Sequence, residues 1–275
     1  MIRASIAPLV AVAVLAAAES APTPGVPLTQ DQRPRFRVGT DLVALDVSVR
    51  SGTRVVTDLT AADFEVLDNG VPQRVSDVSY GKVPIDVTVA LDVSASVTGP
   101  LLDQLRRALL QLMRDLRPVD RLKLVTFNMR VQRVVDFTSD PAAVERAVLA
   151  ATSGGGTSLW DAVSIALVSA ADADRRQLVV VFTDTIDSSS LGGPDQVLGL
   201  ARRTRAALTV VVPISPTPGR VLVLPAESRT ALQRVVRETG GTFVSAGGDI
   251  ADTFSRVLGE FRSSYVLYFT PAGVE

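Results

Sequence analysis

The sequence predicts an α/β fold: an open, doubly wound, mostly parallel sheet with a small additional β segment ahead of it. Three features carry that prediction. Residues 85–91, 178–182 and 208–212 are short runs that are almost wholly apolar and β-branched, the pattern of strands covered on both faces. Between such runs lie stretches whose apolar residues recur at helical spacing, so strands and helices alternate from Val83 onward. Before that point, residues 36–80 change to a period of two, with Leu42, Ala44, Asp46 and Ser48 alternating with Val43, Leu45, Val47 and Val49, as half-exposed strands do.

Taken in order, residues 1–18 hold one positive charge, Arg3, then an apolar run with Pro8 that closes on Ala16, Ala17 and Ala18. This is the layout of a secretory signal peptide, too short for a comfortable membrane span; an uncleaved anchor is the rival. Residues 19–35, with Pro22, Pro24, Pro27 and Pro34, read as an extended linker. The expected mature chain therefore starts near Glu19, carries no membrane span and is secreted or periplasmic. In residues 36–80, Ser51-Gly52 and Asn69-Gly70 are turn signals, the second between two short strands and thus a hairpin. This small β-sandwich-like segment cannot bury its apolar face alone, so strand 264–270, inside the C-terminal stretch 263–275, is expected to pair with it.

Within 83–262, Leu101, Leu105, Ala108, Leu109, Leu112 and Leu116 mark one helical stripe that ends before Pro118. Strands are expected at 122–127, 131–137 and 242–244, and helices at 141–150, 158–171, 195–206, 227–238 and 249–261. The Pro-rich loop 213–225 leaves the carboxyl end of a strand, so it is expected on the same side as the loops after Leu91 and Phe182.

Composition removes whole classes of chemistry. The 275 residues include no cysteine and no histidine, which excludes disulfides, thiol nucleophiles, Ser-His-Asp triads and the usual zinc sites together. A net charge of −1 with acids and bases interspersed makes nucleic acid an unexpected partner. Any metal must be held by oxygen.

Oxygen ligands are what the strand ends offer. After the run at 85–91 come Asp92, Ser94 and Ser96, whose alternation lets their side chains converge in an extended loop; carboxylate and hydroxyl oxygens suit Mg²⁺ or Mn²⁺. Thr157 follows Gly154, Gly155 and Gly156 and opens a helix. On its own that is equally a glycine turn with a Ser/Thr helix cap, while a phosphate loop fails because no lysine stands at the required place. Asp184 ends the run at 178–182, with Asp187 and Ser188 to Ser190 just beyond.

The D-x-S-x-S of Asp92, Ser94 and Ser96, the segment Gly155-Gly156-Thr157-Ser158-Leu159-Trp160-Asp161-Ala162 and the aspartate in Phe182-Thr183-Asp184 together resemble the von Willebrand factor type A (VWA) domain. The stretch Leu59 to Gly70 also resembles the β-rich segment ahead of that domain in a group of exported bacterial proteins. The resemblance covers about residues 83–262 and implies a Rossmann-like sheet. Its metal-ion-dependent adhesion site (MIDAS) would take Asp92, Ser94, Ser96, Thr157 and Asp184 as ligands of Mg²⁺ or Mn²⁺. The implied partner is a protein that offers an Asp or Glu carboxylate, with no turnover. The glycine usual after the third-loop aspartate is Thr185 here. Haloacid-dehalogenase-type phosphatases also begin from an aspartate at a strand end, but they use a second aspartate where this chain has Ser94. A scaffold with a vestigial metal site is the other alternative.

Overall fold

The structure, a computed structural model, describes residues 42–273 apart from 53, 170–173, 185–186 and 214–225. The expected signal peptide and linker, Thr185 and nearly all of the Pro-rich loop lie outside the described residues. In chain order the strands are β1 (Val43–Val47), β2 (Arg50–Ser51), β3 (Arg54–Val55), β4 (Val66–Asp68), β5 (Val71–Gln73), β6 (Val75–Tyr80) and β7 (Ile85–Asp92). Helix α1 (Pro100–Asp115), strands β8 (Arg121–Phe127) and β9 (Val131–Thr138), and helices α2 (Pro141–Ala150) and α3 (Leu159–Val168) follow. The chain continues through β10 (Arg176–Phe182), α4 (Pro194–Ala201), β11 (Ala207–Pro213), α5 (Ala226–Glu238), β12 (Phe243–Ala246), α6 (Ile250–Arg262) and β13 (Tyr265–Phe269).

Six strands form one sheet in the order β12-β11-β10-β7-β8-β9. All neighbours run parallel except β9, which folds back antiparallel on β8. Every residue of β7 and of β10 is buried, which explains why these strands read as unbroken apolar runs. Ile85, Val87, Val89 and Leu91 pack with α1 and α6 on one face, while Ala90, Val179 and Val181 pack with α3, α4 and α5 on the other. Helix α1 buries the stripe expected of it, from Leu101 through Leu105, Ala108, Leu109 and Leu112.

The departure of Asp86 from the apolar pattern of β7 has a structural cause. Its carboxylate, fully buried, accepts from Arg121 Nε and Nη2 at 2.9 and 2.7 Å and from Arg175 Nε at 2.7 Å. Burial alone would raise its pKa, but the two guanidiniums outweigh burial and hold it below the ordinary carboxylate value. Helix α4 ends five residues before the expected 206. Beyond it Thr204 Oγ1 donates to Leu167 O and accepts from Ala206 N–H, a local bonding pattern that competes with continued helix.

The segment before β7 borrows a strand from the far end of the chain, as its small size demands. Strand β13 lies between β1 and β6, antiparallel to both. Tyr265, Leu267 and Phe269 form one face of this three-stranded sheet and pack with Val66 and the partly buried Val43, Phe64 and Tyr80. The Tyr265 hydroxyl donates to Val56 O and accepts from Leu59 N–H, so the loop after β3 is pinned to the last strand. The turn between β4 and β5 has positive φ at both Asn69 and Gly70 (48° and 82°), the conformation a two-residue hairpin turn requires. On the opposite face of the small sheet Asp46 meets Arg176, the first residue of β10, at 2.7 Å, which couples the small sheet to the large one.

Candidate metal centre

Strand β7 sits where the order of the large sheet reverses: the chain moves from it to β8 on one side, while β10, β11 and β12 add on the other. In open α/β sheets ligands bind at such switch points, outside the carboxyl ends of the strands. Leu91 pairs with Phe182, so Asp92 and Asp184, one and two residues further on, emerge side by side at that point.

Hydrogen bonds turn the loop after β7 and fix its oxygens. The Ser94 N–H donates to Asp92 Oδ1 at 2.8 Å, and Val97 N–H donates to Ser94 O at 3.0 Å. Ser94 Oγ and Ser96 Oγ stand 3.1 Å apart, and Ser96 Oγ donates to Asp184 Oδ1 at 2.9 Å. Thr183 Oγ1 donates to Asp92 Oδ2 at 2.8 Å. Four of the five predicted residues thus form one connected cluster. Asp92, Ser94 and Asp184 are buried and Ser96 is half-buried.

Thr157, also buried, comes in on the glycine loop. That loop is laced to the first by Gly154 N–H to Val93 O at 2.9 Å and Ala95 N–H to Gly155 O at 3.0 Å. It is laced to the third by Ser188 and Ser189 N–H, both donating to Thr157 O, and by Thr157 N–H donating to Ser188 Oγ at 2.9 Å. A Cβ on Gly156 would come within 2.5 Å of Ser189 Oγ and 2.8 Å of Ser188 Oγ, so any larger residue there would have to displace the two hydroxyls that pack against this loop.

Asp187, in the polar stretch just beyond Asp184, is half-buried and bonded to the start of α3 rather than to the cluster. Its Oδ1 accepts from Leu159 N–H at 2.8 Å and Trp160 N–H at 3.3 Å, capping α3 from a loop some thirty residues away. Asp161 answers from the first turn of α3, accepting from Leu191 N–H and Gly192 N–H at 2.9 Å each. Aspartates at both ends of a loop-to-helix contact were a possible signal, but a cap supplied from another loop has no fixed sequence spacing.

Burial pushes Asp92 up to about 6; the hydrogen bonds from Ser94 and Thr183 pull it down and the neighbouring Asp184 carboxylate pushes it up again. Its value in the folded state is therefore above the ordinary 3.8 of the unfolded chain. The stabilising contribution of this group is fully present below pH 4 and is lost as pH rises through about 6, a cost on the order of 3 kcal/mol to the metal-free protein at neutral pH. The residues fit a hard divalent cation on this ground. Two buried carboxylates and three hydroxyls are an all-oxygen donor set, and a cation would relieve the cost of ionising Asp92. Proton and cation would then compete for one carboxylate. Stabilisation by Mg²⁺, read as a shift in melting temperature, is expected to be larger at pH 7.5 than at pH 5, where protonation of Asp92 weakens the apparent affinity for the ion about tenfold.

Sheet order, switch point and three converging loops define the class of protein, and comparison with known proteins bears it out. The family model for the von Willebrand factor type A domain matches residues 86–245. The chain belongs to that family. Among curated proteins, the uncharacterized protein sll0103 of Synechocystis is 26% identical over 121 residues, 43% of this chain, and the match spans 29% of that protein's length. Among solved structures, an aerotolerance-related membrane protein from Bacteroides fragilis superposes with a TM-score of 0.51 at 18% identity, over 64% of this chain and 98% of that one. Proximal thread matrix protein 1 from the mussel byssus, solved with a zinc-occupied MIDAS motif, superposes with a TM-score of 0.54 at 12% identity, over 69% of this chain and 48% of that one. At these identities the two structures speak for the fold. Among the described residues no helix is long and apolar enough to cross a membrane.

Proposed function

We propose that this is an exported, non-catalytic protein that captures a protein ligand through a divalent cation at the carboxyl edge of its large sheet. The observation that carries the reading is the bonded cluster of Asp92, Ser94, Ser96 and Asp184 with the Thr157 loop laced against it. These five side chains would hold Mg²⁺ or Mn²⁺. A bound ion supplies an open coordination position that accepts a carboxylate oxygen from an Asp or Glu of the partner. Asp92 and Asp184 provide the negative charge, and the neutral hydroxyls of Ser94, Ser96 and Thr157 keep the total low enough for a further anionic ligand to be attractive. Thr183 and the Ser94 amide hold Asp92 in place. Residues 1–18 as a signal peptide, 19–35 as a linker, 36–80 as a β segment, 83–262 as the VWA domain and 263–275 as the closing strand remain the proposed layout, with the protein secreted or periplasmic.

The test is capture of protein from an envelope extract with Mg²⁺ against EDTA. A ligand retained in Mg²⁺, released by EDTA and not captured by the Asp184→Ala variant is expected. Thr157→Ala is expected to weaken ligand capture about tenfold or more while changing the metal-induced shift in melting temperature less than Asp184→Ala does. Equal capture in Mg²⁺ and EDTA would contradict the reading.

A further inference from the structure

A cleft of about 430 Å³ opens beside the metal loops, between the β8–β9 hairpin and the C-terminal end of α2. Its inner wall belongs to those loops. Val93, which lines it, lies between Asp92 and Ser94, bonds through its N–H to Phe127 O at 2.8 Å and accepts at its carbonyl from Gly154 N–H. Thr152, on the same wall, leads into the glycine run that carries Thr157.

The lining has a definite chemical character. Thr126, Asn128, Arg130, Gln132 and Thr152 present hydroxyl, amide and guanidinium groups, above a floor of small alanines at the end of α2. Arg130 is exposed; its backbone N–H donates to Asn128 Oδ1 at 3.0 Å and its carbonyl accepts from Asn128 N–H at 3.1 Å, while its guanidinium bonds to none of the described residues. The carbonyl end of a helix would by itself repel an anion, but Arg106 Nη2 donates to Ala151 O at 2.8 Å there. The cleft thus offers an available guanidinium and several neutral donors, a combination that binds carboxylate. Its volume lies in the range of small ligand sites, about 300–1,000 Å³, and admits one side chain with its adjoining backbone.

We propose that this cleft is the second half of the ligand site, taking a carboxylate side chain from the same partner whose first carboxylate reaches the metal. The protein then selects acidic segments that carry two carboxylates rather than one. The first contact rests on the metal reading above; the second rests on Arg130 and the cleft. Because both contacts lie on one polypeptide segment, the second is made at high effective concentration and adds directly to affinity.

The probes are N-acetylated, C-amidated Gly/Ser peptides with one Asp, or with two Asp separated by one to six residues, titrated into the ¹⁵N-labelled full chain in Mg²⁺ and in EDTA. In Mg²⁺ the best two-Asp peptide is expected to bind about tenfold more tightly than the one-Asp peptide and to shift the amide signals of Arg130 and Gln132. Arg130→Glu is expected to abolish that advantage while retaining the metal-induced rise in melting temperature. Two-Asp peptides that bind no more tightly than one-Asp peptides, or an advantage that survives in Arg130→Glu, would overturn the proposal. If Mg²⁺ changes neither melting temperature nor peptide binding, the metal reading fails. The cleft is then judged by the two-Asp peptides in EDTA: shifts at Arg130 and Gln132 sustain it, and their absence overturns it.

Discussion

The Asp92→Asn variant is expected to melt above the wild type in EDTA at pH 7.5, and to lose that lead entirely when Mg²⁺ is added. The amide keeps an oxygen for the Ser94 N–H, and the Thr183 hydroxyl, which donates to Asp92 Oδ2 in the wild type, can turn to accept from the new NH₂ group. What the substitution removes is the cost of ionising a buried carboxylate beside Asp184. The metal-free wild type carries that cost at neutral pH, and the variant does not. In Mg²⁺ the order reverses, because only the wild type has the charge that holds the ion. A cation at a thousand times its dissociation constant stabilises by about 4.1 kcal/mol, more than the roughly 3 kcal/mol that ionised Asp92 costs, and for a domain of this size this is a rise of roughly 8–16 °C. Differential scanning fluorimetry of both proteins, in EDTA and across a Mg²⁺ series, reads both halves. Wild type and variant rising in parallel would show that Asp92 is not a ligand.

Gly241→Ala is expected to have the largest effect on stability of any single methyl addition considered, roughly 3–5 kcal/mol or outright failure to fold. A Cβ at Gly241 would lie 1.9 Å from Leu208 O and 2.5 Å from its carbonyl carbon. Both are backbone atoms of β11, which cannot rotate away as a side chain can. The turn after α5 is fastened to that strand by Leu208 N–H donating to Thr239 Oγ1 at 3.0 Å and Val210 N–H donating to Thr242 O at 3.0 Å. Lifting the turn far enough to admit a methyl breaks both bonds beside a buried strand. Gly199→Ala is the control: it lies on the exposed side of α4 with nothing within 4 Å of an added Cβ, and is expected to stabilise by about 0.5–1 kcal/mol. Urea unfolding of the two variants should move the midpoint in opposite directions.

Much of this fold was legible because strands covered on both faces and helices covered on one leave different periods in a sequence. The stripe of α1 and the runs of β7, β10 and β11 fall where their residues place them. The pairing of the tail with the first segment was legible for a different reason, since a few half-exposed strands need a further strand to close a core. The ends of helices were less so: α4 stops at Ala201 because Thr204 bonds to Leu167, a partner in another helix that no local pattern reveals. Asp86 and Asp187 show the same limit at the level of side chains. Asp86 looks like a lone polar residue in an apolar run and Asp187 like one of several in a polar loop, and each is explained by partners more than twenty residues away, Arg121 and Arg175 for one and the start of α3 for the other. The cluster around Asp92 could be foreseen only in part. Alternation put Ser94 and Ser96 with it, but the arrival of Asp184 follows from β10 being the neighbour of β7.

The central claim, a cation held by Asp92, Ser94, Ser96, Thr157 and Asp184, is tested most directly by anomalous diffraction from crystals grown with Mn²⁺. A single strong manganese peak within coordination distance of the Ser94 and Ser96 hydroxyls, and lost in crystals of Asp92→Asn, is the predicted result. No peak at that place, or one that persists in the variant, would contradict the account.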